Sequence, residues 1–212
     1  MNAVGKSWGW QLALALLLAV MPMFAAARDD ALAQLQARIT MAPVLRADFE
    51  QEKHLQGFRN PLRSKGRILV VRDRGVVWTT LAPFPSELVL TDDRIVSRNG
   101  EGRSQVELDA REQPAIRAVN AMLFALLRGD VRALEGAFEL QPTLLGDGQW
   151  RLALTPKPGI LAKAFRQVTL EGASHVDKAV IEEASGDRTT LVFRDHRHRP
   201  AELSPEEARH FD

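Results

Sequence analysis

Cysteine is absent from all 212 residues. No disulfide can staple the fold, no thiolate can act as a nucleophile, and no lipobox cysteine exists to be acylated. The chain is therefore not itself a lipoprotein. An excess of charge is missing as well, since 28 Lys and Arg face 27 Asp and Glu. Without residues 1–27, which carry one base (Lys6) and no acid, the formal balance is neutral. Bulk nucleic-acid binding needs a basic footprint, so that class is disfavoured. Catalytic patterns are scarce too. No HExxH, no phosphate-cradling glycine loop and, beyond residues 1–27, no GxSxG occurs. Gly100-Glu101-Gly102 is turn glycine, and Glu182-Glu183 would alternate faces of a strand rather than form a close dyad. No cofactor motif, internal repeat or low-complexity tract is visible. A hydrolase is disfavoured.

What is present begins with an export signal. Lys6 supplies a positive start, Leu12 to Phe24 is an apolar run of signal-core length, and Ala25-Ala26-Ala27 offers small residues for cleavage before Arg28. The run is short for a membrane anchor. Residues 1–27 thus read as a cleaved signal peptide and residues 28–212 as one domain. Hydrophobic residues make up 45% of the chain, enough for a globular core. Without disulfides that core must stand on burial and ladder hydrogen bonds.

The most informative stretch runs from Gly66 to Leu90, GRILVVRDRGVVWTTLAPFPSELVL. Gly66, Ile68, Val70 and Arg72 share one face by period 2, and Arg67, Leu69 and Val71 the other. Arg72 to Gly75 is a turn, Val76 to Thr80 a β-branched strand, and Ala82-Pro83-Phe84-Pro85 an enforced extended loop. Ser86 to Thr91 resumes as strand. The pattern is that of an antiparallel meander. Arg72 is out of character with its face, because a buried guanidinium needs acceptors. From pattern alone it reads as a solvated residue beside the turn.

Elsewhere, residues 29–40 read as a helix with a Leu32, Leu35, Ile39 stripe. Val44 to Glu52 alternates as a half-buried strand, with Leu45, Ala47, Phe49 and Gln51 on one side. Arg94–Arg98 and Glu101–Leu108 flank an Asn99-Gly100 hairpin turn. Residues 137–144, 149–155, 165–172, 177–184 and 188–195 are further strand candidates. Ser204-Pro205-Glu206-Glu207 is a capping box for a short terminal helix. Pro114 to Leu127 is the strong internal helix, and its second half, Ala121 to Leu127, is apolar nearly all round. It is either an ordinary core helix or a surface facing a greasy cavity. His196-Arg197-His198 puts two imidazoles on one strand face. Amid Arg194, Arg197 and Arg199 the pair reads as a solvated basic patch, able to meet anionic headgroups or a membrane protein, rather than as a metal pair.

Several of these residues fall at family spacings. Gly66, Arg72 and Trp78 lie six apart, followed by Pro83, Ser86, Leu88 and Val89; Phe49-Glu50-Gln51 lies upstream and Leu154-Thr155-Pro156-Lys157 downstream. This combination, behind a signal peptide, resembles the LolA-like family of periplasmic outer-membrane lipoprotein carriers, as a divergent member. The resemblance implies a mainly β, α+β fold. That fold is an incomplete, strongly curved antiparallel β-barrel closed by a helical lid, here residues 29–40 and 114–128. Arg72 would be the inward residue that hydrogen-bonds lid backbone. Typical carriers have further C-terminal β-structure, which this sequence lacks, so the resemblance does not extend to the receptor and the cargo hand-off.

The resulting expectation is a soluble, monomeric periplasmic carrier of a Gram-negative bacterium, with no enzymatic step, cofactor or metal. Its cavity would be lined by Phe49, Ile68, Val70, Val76, Trp78, Leu88 and Leu90, with Met122, Leu123 and Leu126 from the lid. Arg72 would latch the lid when empty. Its partners would be acylated cargo, an inner-membrane transporter and an outer-membrane acceptor, with no nucleic acid. The alternative is a lipid-binding accessory or sensor subunit working with an exporter of glycolipid or aryl-polyene esters.

Overall fold

The computed structural model describes residues 28–100, 104–109, 124 and 130–211, with residues 104–109 described by their backbone. A helix, α1, covers residues 28–38. Six strands follow: β1 (Val44–His54), β2 (Leu62–Val71), β3 (Gly75–Ala82), β4 (Ser86–Leu90), β5 (Arg94–Asn99) and β6 (Ser104–Asp109). After a 3-10 turn at Val131–Gly136 come β7 (Phe138–Leu144), β8 (Trp150–Pro156), β9 (Phe165–Gly172), β10 (Val176–Glu183) and β11 (Arg188–Arg197). A five-residue helix, α2 (Pro205–Arg209), ends the described chain. The helix expected over 114–128 lies outside the described residues, save that Phe124 is helical and buried.

All eleven strands form one antiparallel sheet in the order β6-β5-β4-β3-β2-β1-β11-β10-β9-β8-β7. Two meanders, β1–β6 and β7–β11, meet where β1 pairs with β11, while β6 and β7 are left as unjoined edges. The sheet is curved and unclosed, as the α+β half-barrel expectation has it. Register slips in the β1–β11, β2–β3, β5–β6 and β9–β10 ladders contribute to the bend, since an unpaired residue kinks its strand and adds twist.

Cross-strand pairs identify the two faces. Phe49 lies opposite Gly66 and Phe193, Ile68 opposite Trp78, and Val70 opposite Val76. Trp78 continues to Leu88, and Val76 to Leu90. Because paired residues share a face, these residues line one side, the concave one. On its β7–β11 half, Phe138, Leu140, Trp150, Leu152, Leu154, Val168 and Leu170 pack with Leu32 and Leu35 of α1, both without solvent exposure. The helix stripe read from the sequence is thus the cover for half of the concave face.

The opposite parity is also apolar. Val44, Leu69, Val71, Val77, Val89 and Val96 form a second core on the convex side, closed by Leu203 and Phe211. The chain after β11 acts as a strap across this face. Arg46 holds it: Nε and Nη2 donate to the two carboxylate oxygens of Glu207 at 2.6 and 2.7 Å, and further N–H groups reach the carbonyls of Pro200 and Glu202. Ser204 and Glu207 complete the predicted capping box, with Pro205 at the first turn. A helical strap is what the terminal sequence encodes.

Two predictions follow from this framework. A Cβ at Gly66 would overlap the Thr79 carbonyl oxygen and the Phe49 ring, so Gly66→Val is expected to cost about 3 kcal/mol in urea unfolding. Glu207 is held down to about pKa 2, chiefly by its Arg46 hydrogen bonds. The folded value lies below the unfolded one, so the pair's stabilisation is present above about pH 4.5 and is lost as pH falls through 2. Glu207→Gln should therefore lower stability by about 1 kcal/mol at pH 7, a partly exposed bidentate pair being worth no more. The gap should narrow on acidification toward pH 2.

Candidate functional site

The concave face is covered unevenly. Under α1, Leu152 and Leu154 are shut off from solvent. On the other wing, Ile68, Val70, Trp78 and Leu88, with Ile95 beyond them, are each half-buried. Phe49, Val76 and Leu90 at the floor are buried. Their parity follows from the alternation of β2, β3 and β4, and the ladders bring all seven strand residues of the expected lining onto one surface. Met122, Leu123 and Leu126 lie outside the described residues. Phe193, from β11, is an inner-face residue the sequence reading passed over; its period-2 relation to Leu191 was the available signal.

Three aromatic rings anchor the floor. Phe49 and Trp78 lie 4.0 Å apart between centroids, tilted by 34°, and Phe193 meets Trp78 edge-on at 6.2 Å. Gly66 makes this possible, because a side chain there would occupy the space of the Phe49 ring. The result is a stiff apolar surface that offers π-faces and methyl groups to whatever lies above it.

Arg72 lies just past the end of β2, its backbone N–H bonded to the Pro43 carbonyl at 3.0 Å. The solvated reading from pattern alone is overturned. Its Nε and Nη2 are buried and find no acceptor among the described residues. A guanidinium in that state is costly until acceptors arrive. The site thus combines an apolar trough with one buried, underused donor group.

The histidines also differ from expectation. Arg194, Arg197 and Arg199 are exposed, but the imidazoles do not form a solvated patch. His175, from the β9–β10 turn, is sandwiched between them, stacked on His196 at 4.7 Å and tilted against His198 at 4.6 Å. A residue some twenty positions away cannot be found by strand parity, which explains its omission. Face-to-face rings do not converge their lone pairs, and among the described residues no cluster of three His, Asp or Glu is arranged to hold a metal. Burial, and then the His196 and His198 charges, hold the His175 imidazole below its usual pKa, with Asp177 opposing. The same turn anchors α1 and the core: the Thr40 N–H donates to the Ser174 carbonyl at 2.8 Å, and Trp150 Nε1 to that of Ala173 at 2.6 Å.

A half-barrel whose concave face is apolar and only partly covered is suited to holding an apolar ligand. The chain belongs to the family of the outer membrane lipoprotein carrier protein LolA, whose family model matches residues 40–205. No curated protein matches its sequence. Among solved structures it is similar to a LolA superfamily protein from Nitrosomonas europaea, at 11% identity over 84% of this chain and 96% of that one, TM-score 0.46. It is similar also to a putative outer membrane lipoprotein-sorting protein domain from Vibrio parahaemolyticus (9% identity, 88% and 98% covered, TM-score 0.48). A third likeness is to the MucA/MucB complex structure of Pseudomonas aeruginosa (16% identity, 85% and 62% covered, TM-score 0.44). No helix among the described residues is long and apolar enough to cross a membrane.

The histidine stack carries a pH prediction. The folded pKa of His175 lies below 6.5, so on acidification the unfolded chain takes up its proton first. The stack's contribution is complete above about pH 6.5 and falls as pH drops below it. The urea midpoint should therefore decrease between about pH 7.5 and 5, and His175→Gln should flatten that dependence.

Proposed function

We propose that the protein is a periplasmic carrier that takes acyl chains of a lipidated cargo into its concave trough and passes the cargo toward the outer membrane. In this reading residues 1–27 are a cleaved signal peptide, and residues 28–212 work as one monomeric domain. The observation that carries it is the half-buried apolar row Ile68, Val70, Trp78 and Leu88, left incompletely covered beside the buried Phe49, Val76 and Leu90. Each methylene buried there is worth about 0.8 kcal/mol, so a chain of a dozen methylenes is a substantial ligand.

Arg72 is the lid latch. In the empty state its guanidinium would bond carbonyls of the segment that includes residues 114–128, since a helix ending there would leave acceptors unpaired. A hydrogen bond to a charged group is worth about 1.5–3 kcal/mol, which burial of about four methylenes offsets. Lid release thus offsets part of the gain from burying a longer acyl chain and weakens the net grip on the cargo. Met122, Leu123 and Leu126 would meet the cargo from above. The step is binding and transfer, without covalent chemistry, and the partners are a delivering inner-membrane transporter and an outer-membrane acceptor.

A second reading rests on the same trough, because an apolar lining accepts acyl chains whatever headgroup or protein bears them. In that reading the trough serves an accessory or sensor subunit of an exporter, with glycolipid or polyene ester as ligand.

Native mass spectrometry of protein recovered gently from the periplasmic fraction tests both readings, with wild type compared to Arg72→Leu. The carrier reading expects acylated adducts, present in a larger fraction of the variant because its lid closes poorly. Adduct masses separate lipoprotein from glycolipid or pigment ester. Bare protein in both samples, with no uptake of an added fatty-acyl probe, would show a filled trough and refute the proposal.

A further inference from the structure

The large hydrophobic side chains exposed to solvent are not scattered. Among the described residues they are Met41, Phe58, Leu62, Leu81, Phe84 and Ile160. All but Met41 lie at one end of the sheet. The ladders require this: β1 ends at His54, β2 begins at Leu62, β3 ends at Ala82 and β4 begins at Ser86. In the other wing β8 ends at Pro156 and β9 begins at Phe165, and the antiparallel chain of pairings puts all these ends on the same rim. Phe84 is 82% exposed and Phe58 72%. Phe84 sits between Pro83 and Pro85, whose fixed φ angles leave the turn little freedom to fold the ring back. Phe58 follows Gly57, which takes a positive φ of 86° to form its turn.

The rim's charge has one prevailing sign. Arg59, Lys157 and Lys163 are exposed in its turns. Of the described acids at this end, Asp187 Oδ1 accepts the Gln56 N–H at 2.9 Å, and in the segment entering β7 Asp130 caps the Ala133 N–H while Glu135 pairs with Arg28 at 3.0 Å. Glu52 and Glu183, the nearest strand carboxylates, are paired with Arg63 and Lys53. Lys157 Nζ donates to the Glu135 carbonyl at 2.7 Å and stays exposed. Apolar tips interleaved with exposed cations are the signature of a surface that meets an anionic bilayer.

We propose that this rim docks the protein onto a membrane surface bearing anionic headgroups, with Phe58 and Phe84 as inserted tips. A lipid surface fits better than a protein partner for a geometric reason. The apolar side chains come from three separate turns spread along an unclosed arc, which a fluid bilayer can accept individually, whereas a protein would need one contiguous patch. This inference is independent of what the trough binds.

Flotation with vesicles tests it, using protein from the periplasmic fraction whose mass shows residues 1–27 removed. Binding is expected to phosphatidylethanolamine vesicles containing phosphatidylglycerol, weakening with salt, and to be much lower on neutral phosphatidylcholine. Phe58→Ser and Phe84→Ser should each reduce it about tenfold, as partial insertion of a phenyl ring implies. Both residues are exposed, so thermal unfolding should be unchanged. The pair Lys157→Glu and Lys163→Glu should remove the preference for anionic lipid. Wild type that ignores anionic vesicles overturns the proposal, as does binding that the double phenylalanine variant retains. So does a rim that captures a soluble protein, lost in that variant, while leaving vesicles alone.

Discussion

Phe49 opposite Gly66 is the contact on which the inner surface depends. β1 is the strand that joins the two meanders, and Phe49 sits near its middle, flanked by Gly66 on β2 and Phe193 on β11. The missing side chain at Gly66 lets the phenyl ring lie flat across the ladder, which brings Trp78 within stacking distance. Any larger residue would lift the ring, separate the two wings and fill the trough. One glycine thus links strand pairing, curvature and the available apolar surface.

The β1–β5 wing is apolar on both faces, and that sets its second requirement. Leu69, Val71, Val77, Val89 and Val96 cannot face water as a continuous patch. The strap after β11 covers them, and Arg46 fixes its course through one guanidinium that serves a carboxylate and two carbonyls. With the convex face closed in this way, the concave face is free to be the open one. Its β7–β11 half is filled by α1, whereas the β2–β5 half carries the half-buried row.

The histidine stack ties the β9–β10 turn to the end of β11, and the same turn receives the backbone of Thr40 just after α1. Protonation there acts on the end of a covering helix rather than on a surface patch. The hydrophobic rim lies at the other end of the strands, so pH response and membrane contact use different ends of one sheet.

Strand parity, turn residues and the capping box were legible in the chain because each rests on local geometry. Alternation put Phe49, Ile68, Val70, Val76, Trp78, Leu88 and Leu90 on one side, and Ser204 with Glu207 marked the last helix. Spacing also singled out Gly66, Arg72 and Trp78, though not the reason for the glycine. Local pattern could not say which of two apolar faces would be covered, since α1 and the strap reach the sheet from sequence-distant positions. Nor could it place His175 between His196 and His198, or show that the Arg72 nitrogens are buried. Those facts depend on segments that lie apart in the sequence. The short-range physics of backbone and side-chain period is written residue by residue, whereas solvent exclusion depends on which distant segments come to lie above each face.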